Sequence, residues 1–197
     1  MTPLPYRYAG AGVAFYAVVI TFVLLELRLR LRSGLNRSGA RSDRGSIVVV
    51  WASVAGGMLA GFLIATDVRS AAIDTPRWPL FVAGMAVMVA GIVIRQWSVA
   101  MLGGYFTTDV RVHPGQAVVD SGPYRWVRHP SYAGLLITML GLGLALGNWA
   151  GLAVLVVVPT AGLVFRIRVE ERALLEGIGE PYRRFAATRA HLVPGVW

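Results

Sequence analysis

Long apolar runs alternate along this chain with short polar segments rich in arginine. The apolar runs cover Ala9–Leu27, Ile47–Thr66, Pro79–Leu102, Pro130–Leu146 and Trp149–Phe165. A helix needs about 20 apolar residues to cross the hydrocarbon core of a bilayer, and the first three runs meet that. The last two are shorter, and only Gly147 and Asn148 separate them. They read as a tight helical hairpin with ends near or within the headgroups; a single re-entrant hairpin is the other reading. The expected fold class is all-α, a polytopic membrane bundle of about five transmembrane helices with a C-terminal cytoplasmic helical tail. Residues 1–197 form one membrane domain, in which 1–78 supply an N-terminal pair of spans and 79–197 the core. Ser33–Ser46 is polar and reads as a loop. Glycines recur inside the runs, among them Gly57, Gly61, Gly84, Gly91, Gly134 and Gly141. Small residues at such positions let helix backbones approach closely in lipid.

The charges set an orientation. Between the first two runs lie Arg28, Arg30, Arg32, Arg37, Arg41 and Arg44 against Asp43 alone. Between the second and third, Arg69 and Arg77 are balanced by Asp67 and Asp74. Arginine excess marks the cytoplasmic side, so the N-terminus is expected outside. With five spans, the Asp109–His129 loop and the Arg166–Trp197 tail then lie inside, and both are arginine-rich. The protein is expected in a bacterial inner membrane. The first run lacks a preceding basic region and a convincing cleavage site, and so reads as a span, not a signal peptide.

Composition narrows the chemistry. The chain is 56% hydrophobic and 15% charged, against roughly 25% charged residues in a soluble domain. Its net charge of +9 is carried by 19 arginines with no lysine. A basic balance can signal nucleic acid, but here the arginines sit between the apolar runs, as orientation demands, so no nucleic-acid partner is expected. The absence of cysteine excludes disulfides, thiolate metal sites and a cysteine nucleophile. No metal site and no required protein partner are evident; the partners implied are membrane lipids and a lipid-like small molecule.

Ionisable residues near lipid are costly and therefore informative. They gather at Arg95-Gln96-Trp97, at Gly122–Gly134 and at Arg166–Arg172 running on to Tyr182 and His191. The two-residue turn of the hairpin forces the second and third groups side by side. Pro130 suits the first position of a helix and pushes His129 out of helical conformation. The free N–H groups of Ser131, Tyr132 and Ala133, flanked by Arg128 and His129, would make an anion site, with Gly134 permitting close approach of a ligand. Snorkelling of Arg128 and His129 to lipid phosphates is the plainer reading. Glu170 and Glu171 carry the last span into the cytosol, either as part of a solvated, ion-paired helix or as carboxylates for ribose hydroxyls or an ammonium group. Gly179 ends that helix, Pro181 starts a short one, and the segment from Arg189 to Pro194 is suited to fold back as a lid.

At these residues the sequence resembles the membrane-embedded isoprenylcysteine carboxyl methyltransferase and phospholipid methyltransferase group. Arg128-His129-Pro130-Ser131-Tyr132-Ala133-Gly134, a hydrophobic hairpin and Glu170-Glu171 carry the resemblance. Leu102-Gly103, Phe106-Thr107, Gly122-Pro123-Tyr124, Gly179-Glu180-Pro181-Tyr182 and Leu192–Trp197 support it. It implies a methyltransferase using S-adenosylmethionine, bound within a helical bundle. By the same resemblance Tyr124, His129, Tyr132 and Gly134 contact the methionine end. Glu170 and Glu171 hold ribose or amino groups, and His191 and Leu192 cover the adenine.

A sulfonium methyl is already activated, so the protein must align a nucleophile and exclude water. A carboxylate acceptor needs no base but a planar cation: Arg128 first, then Arg95 and Arg189. An amine acceptor, as in the phospholipid branch, needs a base, which Glu170, Glu171 or His129 would supply. The arginine excess favours the carboxylate. The other readings are a nicotinamide-dependent membrane reductase of the steroid-reductase type and a membrane scaffold without enzymatic activity.

Overall fold

The structure is a computed structural model describing residues 2–35, 40–41, 43, 45–74, 76–113, 115–193 and 195. A short helix, α1 (Leu4–Arg7), leads into α2 (Ala9–Leu35), followed by α3 (Ser46–Asp67) and α4 (Arg77–Leu102). The hairpin is α5 (Pro130–Leu146) and α6 (Trp149–Gly177), and the tail carries α7 (Glu180–Ala187). Four helices are long and apolar enough to cross a membrane, and α5 is a shorter apolar helix. Five apolar helices are thus found where five were expected. As expected from Glu170 and Glu171, the last one continues beyond Phe165 through the polar stretch, and α6 is 29 residues long.

The expected loop at Ser33–Ser46 needs correction. The α2 helix runs on to Leu35, so Arg28, Arg30 and Arg32 ride on a helix. A backbone pair, β1 (Ala40–Arg41) with β2 (Arg111–Val112), then ties this connection antiparallel to the segment after α4. Residues 36–39, 42 and 44 lie outside the described residues.

Missing side chains set the packing. A Cβ on Gly84 would strike the backbone of Gly141 and Ala145, and one on Gly91 would strike Gly134 and Thr138. Reciprocally, Gly134 abuts Arg95 and Gly91, and Gly141 abuts Met88 and Gly84. The helices α4 and α5 therefore touch backbone to backbone along their length. On the other side α3 meets α6, where Gly57 receives the ring of Pro159 and Gly61 receives Leu155. Pro159 lies inside α6; a proline there removes one helical hydrogen bond, which packing within a bundle tolerates. The core between these pairs holds Phe15, Met88, Met139, Leu142, Leu155 and Leu163, all essentially inaccessible.

The hairpin turn is built by two residues. Gly147 takes a left-handed conformation (φ 65°) and its N–H caps α5 by reaching Gly143 and Leu144 carbonyls. Asn148 caps α6, its Oδ1 accepting from Gly151 N at 2.9 Å while Nδ2 donates to the Val68 carbonyl at 2.8 Å. That leaves the first residues of α5 beside the polar turns of α6.

Candidate active site

Among the described residues, the buried charges cluster at one end of the bundle, where α2, α4 and α6 run out and α3 and α5 begin. Three arginines organise it. Arg95, late in α4, donates through Nε and Nη2 to both carboxylate oxygens of Glu26 on α2, and through Nη1 to Ser131 Oγ at 2.8 Å and to its carbonyl at 3.2 Å. Arg166 on α6 is bonded to Asp43, to Ser46 Oγ at 2.7 Å and to the Thr108 carbonyl at 2.6 Å. Arg128 donates to Glu171 Oε2 at 2.5 Å and to the His191 ring at 2.8 Å. A buried charge is tolerated only when paired and hydrogen-bonded, and all three guanidiniums meet that demand with carboxylates of this chain.

Glu171 is the hub of the hairpin's polar end. Its Oε1 accepts from His129 Nε2 and from the Tyr182 hydroxyl, each at 2.7 Å, while Oε2 accepts from Arg128. Next to it, Glu170 Oε2 accepts from the Tyr132 hydroxyl at 2.6 Å, and Tyr132 in turn accepts from Arg166 Nε at 3.2 Å. The tail docks on this cluster by its backbone: Arg128 N donates to Ala190 O and His129 N to His191 O. The rings of Tyr132, His129 and His191 stack in sequence, centroids 5.6 and 6.3 Å apart.

The protonation states follow from the surroundings. Burial, then the neighbouring Arg128 charge, pushes the His191 imidazole down, so it is neutral at pH 7. Burial and then the Glu171 carboxylate push the Tyr182 phenol well above its ordinary value, and burial and then Glu170 do so for Tyr124. Both remain hydrogen-bond donors. Burial acts to raise the Asp43 carboxyl, but the Ser46 hydroxyl, the Arg166 charge and two backbone N–H groups outweigh it and hold Asp43 below the ordinary carboxylate range.

Beside a wide, open hollow of about 680 Å³ lined by Arg168, Glu171, Arg172 and His191, two smaller cavities meet at this cluster. The larger, about 200 Å³, lies between α2, α3 and the hairpin core. Its walls are mostly apolar, including Phe22, Val54, Met58 and Leu135, and its polar end holds Arg95, Glu26, Arg166 and Tyr132. The smaller, about 70 Å³, is lined by Tyr124, Arg128, His129, Glu170, Tyr182 and Phe185. Tyr132 borders the first and Glu170 the second, so their hydrogen bond forms part of the wall between them.

Among the candidate residues, Tyr124, Arg128, His129 and Glu170 line the small cavity, and Tyr132 and Arg95 the large one. Glu171 has both carboxylate oxygens engaged by this chain and, with His191, borders the wide open hollow. Leu192 is a buried residue of the docked tail itself; residues 194, 196 and 197 of the supporting C-terminal pattern lie outside the described residues. Gly134 is turned away: its Cα is pressed against α4 at Gly91 and Arg95, so it packs helices. The expected anion site at the start of α5 is also closed, because the N–H groups of Tyr132 and Ala133 already donate to the His129 carbonyl at 3.1 Å. Arg128 faces the small cavity and Arg189 neither; Arg189 lies over the Phe185 ring at 4.9 Å. Of the three arginines considered for an acceptor, only Arg95 reaches the large cavity.

Sequence reasoning missed Glu26 and Asp43 and undervalued Arg166. Glu26 had a signal: it is the one acidic residue inside the first apolar run, and an ionisable residue in a span demands a partner. Asp43 had none, being one polar residue in a polar segment. Arg166 stands four residues before Glu170, but that contact, at 3.7 Å, is the longer of its ion pairs, Asp43 being the closer partner.

Fold and site together define a class: a polytopic helical membrane protein with a buried, ion-paired site at one end of the bundle, where an apolar and a polar cavity meet. Residues 83–176 match the isoprenylcysteine carboxyl methyltransferase (ICMT) family. The chain is 33% identical over 99 residues to the uncharacterized protein YpbQ of Bacillus subtilis, covering 50% of this chain and 58% of that protein. It is 26% identical to the protein-S-isoprenylcysteine O-methyltransferase of Schizosaccharomyces pombe, over 91% of this chain and 81% of that one. The eukaryotic intramembrane Ras methyltransferase ICMT, solved without a monobody, matches with a TM-score of 0.62 at 25% identity, covering 74% of this chain and 52% of the other. The chain thus spans little more than half the length of the Bacillus relative and of the solved structure.

Proposed function

We propose that the chain transfers a methyl group from S-adenosylmethionine to an oxygen of a lipid-like acceptor at the cytoplasmic face of a membrane. The names of its relatives give carboxyl O-methylation as the reaction. The observation that carries this reading is the meeting of a polar, aromatic cavity with an apolar one across the Tyr132–Glu170 hydrogen bond. A water-borne donor and a lipid-borne acceptor need such a pair of compartments.

The small cavity suits the donor by its chemistry. Arg128 Nε is buried without a hydrogen-bond partner among the described residues and would take the carboxylate of a methionine moiety. Glu170 can accept from an ammonium group or ribose hydroxyls. The faces of Tyr124, Tyr182 and Phe185 favour a cation beside them. When bound, S-adenosylmethionine supplies an activated methyl as a sulfonium. The chain contributes alignment and exclusion of water, and proximity of this kind is worth at best on the order of 7–11 kcal/mol. His191 and Leu192 close the site through the docked tail. Residues 79–197 hold the donor side, whereas α2 and α3, from 1–78, wall the acceptor cavity. The cytoplasmic orientation rests on the arginine excess around this end of the bundle.

Calorimetry in detergent tests the donor site. S-Adenosylmethionine and its demethylated product should bind, and Arg128→Ala or Glu170→Ala should each weaken binding at least tenfold. Unchanged binding in both variants overturns the assignment.

A further inference from the structure

The open hollow of about 680 Å³ lies between α6, α7 and the docked tail, and its charge is unbalanced. Arg168, Arg172 and Arg183 line it, with Glu171, Glu176 and His191. Glu171 is already offset by Arg128, which leaves three guanidiniums against Glu176. Arg95, Arg128 and Arg166 each pair with a carboxylate of this chain. Arg168 and Arg172 are exposed and have no such partner among the described residues. Arg183 has the exposed Glu180 at 2.9 Å, and a surface pair of that kind is worth little.

The place of these arginines on α6 fits a lipid. Val157, Ala161, Phe165, Arg168, Arg172 and Glu176 follow one another at intervals of three or four, so they share one side of the helix. Val157 and Phe165 are exposed although apolar, as side chains against lipid tails are. The stripe then turns cationic without leaving that side. Arg168 stands about 4.5 Å beyond Phe165 along the axis, and Arg172 about 10.5 Å. The headgroup layer is roughly 5–7 Å deep on each side of the hydrocarbon, and a long arginine stem can lean back into it. A phospholipid with its tail along Val157 and Phe165 thus brings its phosphate to the mouth of the hollow. Arginine meets a phosphate with two parallel hydrogen bonds.

We propose that the hollow binds the phosphodiester headgroup of an anionic phospholipid, and that this lipid holds the C-terminal tail in its docked position. The headgroup touches three elements at once, through Arg168 and Arg172 on α6, Arg183 on α7 and His191 in the tail. The tail is tied to the start of α5 by two backbone hydrogen bonds, Arg128 N to Ala190 O and His129 N to His191 O, and by the His191 ring on Arg128. A phosphate bridging Arg172 and Arg183 closes the gap from outside, so lipid binding and tail docking favour each other. A zwitterionic lipid brings an ammonium group to the same arginines and gains less. The hollow shares no lining residue with the two smaller cavities. This lipid is therefore neither donor nor acceptor in the reaction proposed above, and the inference stands apart from that reading.

A short-chain fluorescent phosphatidylglycerol, added to the full chain in neutral detergent, tests the site. It should bind saturably, one per chain, and be displaced by phosphatidylglycerol but not by phosphatidylcholine. Arg168→Gln with Arg172→Gln should weaken binding at least tenfold, since each arginine near an anionic lipid is worth about fivefold. Arg28→Gln with Arg32→Gln removes the same charge from the same end of the bundle, at exposed positions on α2, and should change binding less than twofold. Equal losses in the two pairs mean diffuse attraction to a basic surface and overturn the site. Displacement by glycerol phosphate as effective as that by the lipid overturns the lipid in favour of a soluble anion. The chain has no cysteine, so Leu192→Cys reports tail docking through its alkylation by uncharged N-ethylmaleimide. Replacing phosphatidylcholine nanodiscs by phosphatidylglycerol ones should slow that alkylation at least threefold, and should not do so when Arg168 and Arg172 are both replaced by Gln. A rate that ignores the lipid, or that falls equally in both backgrounds, refutes the coupling to the tail.

Discussion

Asp43 is the residue on which the first loop is anchored. It is almost inaccessible, accepts from Ser46 Oγ at 2.8 Å and pairs with Arg166. Its folded pKa is depressed, so its contribution to stability is present above the ordinary carboxylate value of about 3.9 and is lost as pH falls through the lower folded value. Asp43→Asn should therefore melt well below the parent at pH 7, and the gap in Tm should close as pH falls toward about 3. Breaking a buried pair by removing one partner typically costs about 3–5 kcal/mol. A gap that does not change with pH would mean that Asp43 is not charged in the fold. This residue also marks where the sequence stops being informative. Glu26 and Arg95 are conspicuous as charges inside apolar runs, and Arg128 and Glu171 as charges close to them. Three of the four arginine–carboxylate pairs at the site join residues 43 to 123 positions apart, and only the folded helices bring them together.

At the scale of elements, the α4–α5 contact decides the position of the site. Gly84, Gly91, Gly134 and Gly141 let the two backbones touch, and that contact sets Arg95 against Ser131. Gly141→Leu must push α5 off α4, since its Cβ would collide with backbone that cannot move aside. It should lower Tm by several degrees and reduce donor binding, although Gly141 lies more than two turns from His129. Gly56→Leu, where the space is open, should do neither; if both substitutions behave alike, the glycines are not a packing seam. The sequence displayed the small residues and the two-residue turn, so the hairpin and the adjacency of His129 to Glu170 and Glu171 were legible. The length of α2 was not, because a polar helical turn beyond a span reads as a loop. Nor was the facing of Gly134, since spacing alone does not say whether a glycine is turned to a ligand or to a helix.

For the whole molecule, the buried charge of the described residues gathers at one end, where the arginines concentrate. That gives the topology a direct check. Cysteines placed at Ser70, in the exposed α3–α4 connection, and at Thr188, after α7, should label from opposite sides of intact cells, Ser70 from outside. Labelling of both from one side would contradict an odd number of crossings between them.

The shortness of α5 has a thermodynamic consequence. Seventeen helical residues rise about 25 Å, less than the roughly 30 Å of hydrocarbon, so a site at the start of α5 is expected to lie below the headgroup plane. A substrate tail dissolved in the bilayer can reach that depth by sliding sideways, with no step in which its hydrocarbon touches water. The relevant concentration is then moles of acceptor per mole of lipid, and rates should follow dilution in two dimensions. Doubling the lipid at constant total acceptor should halve the initial rate at subsaturating acceptor, while doubling the buffer volume at fixed donor concentration should leave the turnover rate per enzyme unchanged.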